Sequence, residues 1–262
     1  MATSAATAPA GADAAPILTL DDVFAGYGKL VVLNGTSFTV PRGKITTIIG
    51  PNGAGKSTVF KAVFGLLRVA RGRVAFDGDD VTNAGPRRLL ERGISYVPQG
   101  RNIFPELSVQ HNLELGATAA GAGVDVAARI AAVMDRFPML RERAGTQAST
   151  LSGGQQKLLE IGRSLLLQPK LMLIDEPSIG LSPKLVQQTF AILQGLRDSG
   201  MSILLVEQNA RSALEISDAA VVLELGRTRM TGDARTILQD PRVGRLFLGG
   251  GLDAQGEPAA AG

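Results

Sequence analysis

The chain predicts an α/β protein with a mainly parallel core sheet, an antiparallel β subdomain beside it and an inserted α-helical subdomain. Three observations carry this. A β-branched run at residues 45–49 leads into Gly50-Pro51-Asn52-Gly53-Ala54-Gly55-Lys56-Ser57-Thr58, which fits the pattern G-x-x-x-x-G-K-S/T in full. Strand, glycine-rich loop and helix in that order form a P-loop, a cradle for the phosphates of a nucleoside triphosphate. From residue 171 onward short apolar runs alternate with helical patterns, the texture of parallel βαβ units with right-handed crossovers. Between about residues 100 and 168 strand signals vanish and alanine-rich helical patterning replaces them, which marks the insertion.

Taken in order, residues 1–16 are rich in Ala, Thr, Ser, Pro and Gly, with neither a basic start nor a bulky apolar centre. A disordered tail is expected there rather than a signal peptide, and residues 251–262 read the same way. One folded domain is expected over 17–250. Segments 18–24 and 30–40 alternate and carry Gly and Asn punctuation, so they predict antiparallel strands. A core strand at 44–49 and a helix at 56–66 flank the glycine loop. Residues 73–77 predict a strand ending in a Gly78-Asp79 turn, and 94–98 a second core strand. Within the insertion, 126–137 has helical periodicity, and Ser152 followed three residues later by Gln155 is a capping box that starts a helix running through 158–167. Strands at 171–175 and 202–206 alternate with helices at 184–196 and 211–216. A hairpin is expected from 219–225 and 229–231 around Gly226. No internal repeat or heptad run occurs, which gives one unit rather than two.

The bulk composition excludes several classes. A chain of 262 residues buries one sizeable core with at most a small appendage. Its 27 Lys and Arg against 24 Asp and Glu leave a formal charge of only +3, and the arginines (Arg87, Arg88, Arg129, Arg136, Arg141, Arg143, Arg242, Arg245) are interspersed with acids. Solvated faces are expected and nucleic acid is not. The absence of cysteine excludes disulfides, iron–sulfur clusters and thiolate zinc sites. No run approaches eighteen consecutive apolar residues, so any link to a membrane runs through a partner.

The glycine loop dictates its own chemistry. Its backbone N–H groups turn inward on phosphate oxygens, Lys56 adds a positive charge at the β- and γ-phosphates, and the Ser57 hydroxyl ligates Mg²⁺. A helix starting near Gly55 aims its positive end at the same anion. At residues 171–176 four apolar residues and then Asp175-Glu176 predict a buried parallel strand with acids at its carboxyl end, where Mg²⁺ and ligands sit in α/β sheets.

The order of phosphate loop, Leu151-Ser152-Gly153-Gly154-Gln155, and hydrophobic strand ending in Asp175-Glu176 resembles the ATP-binding cassette of ABC transporters, from about Leu18 to Gly250. The resemblance implies an ATP hydrolase that uses ATP and Mg²⁺. It implies that Asp175 holds the Mg²⁺ shell, that Glu176 is the general base, and that Ser152, Gly153, Gly154 and Gln155 form a nucleotide-binding signature. Gln99 is similar to the family glutamine whose amide carbonyl reaches Mg²⁺ while its loop feels the membrane partner. Tyr27, in Gly26-Tyr27-Gly28, is similar to the aromatic on which adenine stacks. Two positions depart from the family pattern. Gln208 stands where most cassettes carry a His touching the γ-phosphate; it donates a hydrogen bond but does not titrate near neutrality. Ser182 stands where an Asp is usual. The lone histidine, His111, is read as an ordinary helix residue.

The segments Val97-Pro98-Gln99-Gly100-Arg101-Asn102-Ile103-Phe104-Pro105, Asp175-Glu176-Pro177-Ser178-Ile179-Gly180-Leu181-Ser182-Pro183, Val206-Glu207-Gln208-Asn209 and Phe247-Leu248-Gly249-Gly250 narrow the likeness. Together they resemble the LivF-type ATP-binding subunit of branched-chain amino acid importers, with urea and amide importers close by. That implies two transmembrane permease subunits, a second ATP-binding subunit or a second copy of this chain, and an extracytoplasmic solute-binding protein. It also implies a peripheral place on the cytoplasmic face of a bacterial inner membrane. The alternatives are a lipid or lipopolysaccharide exporter ATPase, a soluble ABC protein working on ribosomes or DNA, and a sensor that binds ATP without cleaving it. The Asp175-Glu176 pair argues against the last. Residues 101–107, with Ile103, Phe104 and Leu107, read either as an apolar docking surface for the permease or as a small core cluster.

Overall fold

The computed structural model describes residues 15–121 and 123–247. The tails expected at 1–16 and 251–262, apart from Ala15 and Pro16, and the Leu248-Gly249-Gly250 ending lie outside the described residues. Ten strands and ten helices follow one another in the described chain. First come β1 (Leu18–Tyr27), β2 (Leu30–Val40), β3 (Ile45–Ile49), α1 (Lys56–Val63), β4 (Val69–Phe76), β5 (Asp79–Asp80), α2 (Pro86–Arg92) and β6 (Ile94–Val97). Four helices then intervene before the next strand: α3 (Val109–Ala117), α4 (Val126–Arg136), α5 (Pro138–Glu142) and α6 (Gly153–Leu165). The chain continues with β7 (Leu171–Asp175), α7 (Pro183–Asp198), β8 (Ser202–Val206), α8 (Ala210–Ile216), β9 (Ala219–Glu224), β10 (Arg227–Asp233), α9 (Ala234–Gln239) and α10 (Pro241–Phe247).

Two sheets organise these elements. The core sheet has the order β10-β9-β3-β8-β7-β6; it is parallel from β9 to β6, and β10 is added antiparallel. The second sheet, β2-β1-β4-β5, is antiparallel throughout. Strands β3, β7 and β8 are buried at every residue. Helices or the other sheet cover both faces of such strands, and this is why their sequences are continuous apolar runs rather than alternations.

Period-two alternation sends successive side chains to different cores. Leu171 and Leu173 face one cluster, shared with β1, β2, β4 and the Phe60 and Phe64 rings of α1. Met172 and Ile174 face the other, shared with α3, α4, α6 and α7. Fully burying a side chain of this kind stabilises the fold by about 1.5–3 kcal/mol, so the two clusters clamp the core sheet from both sides. Ile49 and Val222 pack with Leu214, Ala234 and Ile237 in a third, smaller cluster that seats α8 and α9.

The helix starts follow local chemistry. Asp125, Asn209 and Asp233 cap α4, α8 and α9 through side-chain oxygens that accept from Ala128, Ser212 and Thr236 amides. Helix α2, absent from the sequence reading, begins with Pro86 in its first turn and ends at Gly93, whose φ of 100° is left-handed. Helices α9 and α10 were likewise not anticipated. The insertion of helices between β6 and β7 appears as expected. His111 lies exposed in the first turn of α3, with its backbone N–H on the Ser108 cap.

Candidate nucleotide site

Parallel pairing brings the carboxyl ends of β3, β8, β7 and β6 side by side, and each strand delivers a loop to the same edge. From β3 comes the phosphate loop, from β8 Glu207-Gln208, from β7 Asp175-Glu176, and from β6 Pro98-Gln99. This is where ligands bind in open α/β sheets.

The phosphate loop is shaped by backbone proximity. A Cβ on Gly50 would lie 2.1 Å from the Leu223 carbonyl oxygen of β9, a contact no side chain survives. Gly55 holds φ 101° at the start of α1, the left-handed conformation that glycine adopts without steric cost. Lys56 is 7% exposed, and its ammonium donates to the carbonyls of Gly50 at 2.8 Å and Pro51 at 3.2 Å. The charge is thus held by the loop's own oxygens. Burial pulls the Lys56 pKa down, and the nearby Glu176 and Asp175 carboxylates oppose that.

Asp175 ends β7 almost fully buried and accepts from two hydroxyls, Ser57 Oγ at 3.3 Å on Oδ1 and Tyr96 OH at 3.2 Å on Oδ2. Burial pushes its pKa up, the two hydroxyls pull it down, and the Glu176 charge raises it further. Tyr96 is a residue the sequence reading missed. Its ring is wedged against Phe60 and Phe64, with centroids at 5.9 and 5.4 Å, and its hydroxyl pKa is raised by burial and by Asp175.

Among the described residues no cluster of three or more His, Cys, Asp or Glu side chains could hold a metal by itself. One hydroxyl converging with one buried carboxylate is nevertheless the donor set that suits Mg²⁺. This ion takes one or two protein oxygens and completes its shell with water and phosphate. The residues present therefore fit the ion.

Glu176 has φ 45°, left-handed for a residue with a side chain, and its amide donates to the Val206 carbonyl at 2.8 Å. Its Oε2 accepts from Gln99 Nε2 at 2.6 Å, which brings these two sequence-predicted residues into direct contact. Gln208 lies two residues past the end of β8 and is exposed. Tyr27 ends β1 at 46% exposure, with Lys61 Nζ 5.7 Å from its ring centre. An exposed aromatic beside α1 offers a stacking surface. Ser152, Gly153, Gly154 and Gln155 form the predicted capping box at the start of α6: Gln155 N donates to Ser152 Oγ at 3.4 Å, and Ser152 N to Gln155 Oε1 at 3.0 Å. Their glycines pack closely on the chain around α7. A Cβ on Gly154 would lie 2.7 Å from Leu185 Cδ2, and one on Gly153 would lie 3.1 Å from Leu181 Cδ2. Ser182 is the N-cap of α7, without a side-chain cap bond.

A second missed feature is the clamp that α6 places on the loop after Gln99. The Lys157 ammonium donates to the Gly100 carbonyl at 3.0 Å, Glu160 Oε1 accepts from Asn102 N at 2.6 Å, and Arg163 donates to the Asn102 carbonyl at 2.6 Å. Lys157 and Glu160 pair with each other, their side chains only 8% and 4% exposed. Neighbouring Asn112, fully buried on α3, both donates to and accepts from the Phe104 backbone.

The profile of the ABC transporter family matches residues 33–179, more than half of the chain. The chain belongs to the ABC transporter family. This ABC ATPase is 40% identical over 234 residues to the high-affinity branched-chain amino acid transport ATP-binding protein BraG of Pseudomonas aeruginosa, covering 89% of the chain and 100% of that relative. It is 38% identical over 226 residues to the probable branched-chain amino acid transport ATP-binding protein LivF of Archaeoglobus fulgidus, covering 86% and 95%. It is also 35% identical over 239 residues to the lipopolysaccharide export system ATP-binding protein LptB of Escherichia coli, covering 88% and 97%. Among solved structures, the ADP conformation of an ATP-binding cassette of an ABC transporter superposes with TM-score 0.82 at 30% identity, covering 90% of this chain and all of that one. The protein is therefore an ATP-binding, ATP-hydrolysing transporter subunit.

Proposed function

We propose that this ABC ATPase powers a bacterial importer of branched-chain or chemically related amino acids. Its likeness to BraG along that relative's entire length carries the reading. The partners would be two transmembrane permeases, a second ATP-binding subunit or a second copy of this chain, and an extracytoplasmic solute-binding protein. The subunit would sit on the cytoplasmic face of the inner membrane. In keeping with a peripheral place, no helix of the described residues is long and apolar enough to cross a membrane.

In the catalytic reading, Gly50, Asn52, Gly53, Ala54, Gly55 and Thr58 wrap the phosphates with backbone donors, Pro51, which has no N–H, shapes the turn, and Lys56 releases its loop carbonyls to meet the β- and γ-oxygens. Ser57, Asp175 and Gln99 would hold Mg²⁺, which when bound neutralises phosphate charge. Glu176 accepts the proton of the attacking water, and Gln208 donates to the γ-phosphate. Tyr27 stacks on adenine, a contact worth about 1–3 kcal/mol. Ser152, Gly153, Gly154 and Gln155 cap α6 rather than bond to the phosphate loop, so we assign them to the nucleotide held by the partner ATP-binding subunit.

Because Gln208 supplies one donor to developing charge, Gln208→Ala should slow hydrolysis by about 10²-fold. Gln208→His should retain most of the rate and gain a pH dependence near the imidazole pKa of about 6.5. Steady-state ATPase assays of the assembled transporter between pH 5 and 8 check both variants, and an alanine variant as fast as wild type removes Gln208 from the chemistry.

The docking surface for the permease is assigned to the loop after Gln99. Phe104 is 42% exposed beneath the Arg163 guanidinium at 4.8 Å, whereas Ile103 packs partly on the helical core. The adjoining cleft is lined by Leu90, Tyr96, Asn102, Glu160, Arg163 and Leu167. Phe104→Ala should change subunit stability by no more than about 0.5 kcal/mol, while permease association weakens by roughly 5–30-fold. Melting of the isolated subunit and co-purification of the complex separate the two effects, and a large loss in melting temperature would return Phe104 to the core.

The solute assignment is tested by purifying the complex from membranes and titrating its binding protein with leucine, isoleucine, valine and urea. Saturable leucine binding supports the importer reading. Recovery of the ATPase with lipopolysaccharide-export components instead would transfer it to the exporter branch.

A further inference from the structure

Glu207 is 1% exposed, and among the described residues no cation pairs with it. Its carboxylate faces three donors: Ser178 N at 3.0 Å on Oε1, and Ser178 Oγ at 2.7 Å and Gln208 N at 3.2 Å on Oε2. Three donors on two oxygens fit the ionised carboxylate, which accepts and never donates. Burial pushes the Glu207 pKa up, and the Ser178 and Gln208 donors oppose that.

These contacts cross between two loops. Ser178 lies two residues beyond Glu176, and Gln208 directly follows Glu207. The Glu176 amide is itself tied to Val206, the last residue of β8. The base and the γ-phosphate donor therefore hang from the same short bridge between the ends of β7 and β8. A carboxylate without a cation, buried at the cost that desolvation imposes, is an expensive way to close a turn, and a neutral side chain would serve if closure were all that was required.

We propose that Glu207 is a positioning residue for hydrolysis: by bracing the Gln208 amide against Ser178, it fixes the Gln208 side chain relative to Glu176. The inference rests on the reading of Gln208 given above. Glu207 acts through Gln208 and touches no reacting atom.

The test is a double-mutant cycle in the assembled transporter with Glu207→Gln, Gln208→Ala and the pair, recording kcat, KM for ATP and the melting temperature. The Gln amide cannot accept from all three donors. Glu207→Gln is expected to lower kcat about tenfold, the scale of one lost hydrogen bond to a charged group, with KM within roughly twofold of wild type. In the Gln208→Ala background the same change is expected to do nothing further. If it lowers kcat there by the same factor as in wild type, Glu207 does not work through Gln208, and the inference fails while the site reading stands. If Gln208→Ala alone is as fast as wild type, the site reading itself fails. Should Glu207→Gln not fold, Ser178→Ala removes only the hydroxyl donor and carries the same cycle. Additivity of Ser178→Ala with Gln208→Ala would overturn the brace just as directly.

Discussion

Replacing Glu176 by Gln should abolish ATP turnover and leave the nucleotide bound. Gln preserves the length of the side chain and can still meet the Gln99 amide, which lies 2.6 Å from Glu176 Oε2. What it loses is the capacity to take a proton from water. A positioned base contributes about 10²–10⁴ in rate, so the variant should fall to that fraction of wild type or lower. Lys56, Ser57 and Asp175, to which we assign the binding, remain untouched. With turnover blocked, ATP should hold the ATP-binding subunits together. An ATPase assay and the size-exclusion mass with ATP and Mg²⁺ read both consequences. Near-normal turnover would remove Glu176 from the role of base.

The largest loss of stability is expected from Glu160→Ala. Lys157 and Glu160 are both buried, and each also bonds the backbone of the loop that carries Gln99. Removing the acid strands an ammonium in a poorly solvated site and orphans the Asn102 amide. Breaking a buried pair in this one-sided way costs about 3–5 kcal/mol, and in a domain of this size each kcal/mol shifts the melting temperature by roughly 2–4 °C. Removing both partners, Lys157→Met with Glu160→Leu, should be milder, because the buried ammonium leaves with its acid and only the partly exposed Arg163 loses a charge neighbour. Thermal melts of the single and double variants decide the matter. A single variant that melts like wild type would show that water reaches Lys157.

What the sequence revealed, and what it withheld, follows from the range of each interaction. The phosphate loop is a local device in which glycine, Lys56 and Ser57 sit within nine consecutive residues, so spacing alone exposes it. Strands β3, β7 and β8 announce themselves as unbroken apolar runs because both their faces are covered. Helix α2 was missed although its Pro86 and Gly93 stood in plain sight, since it is only seven residues long and buries little beyond Leu89. Tyr96 is a different case. Nothing in Ile94-Ser95-Tyr96-Val97 marks its hydroxyl as a partner of Asp175; that contact exists only because β6 pairs with β7. The clamp from α6 was illegible for the same reason, because Lys157 and Gly100 are 57 residues apart and meet only when the insertion folds back. Glu207 lay inside a segment already singled out, yet its use depends on β8 lying beside β7. Among the candidate residues, direct side-chain bonds join Ser57 to Asp175 and Gln99 to Glu176, while the signature residues bond within their own helix start.

The left-handed backbone at Glu176 sets stability and activity against each other at a single position. Holding a side chain at φ 45° costs of order 1–3 kcal/mol, a strain that glycine would relieve. Variants of this chain chosen only for heat resistance would therefore drift toward glycine at position 176 and, with Glu176 as the proposed base, arrive at a sturdier protein without hydrolysis. Retaining glutamate there is what selection for work, as opposed to endurance, leaves behind in the chain.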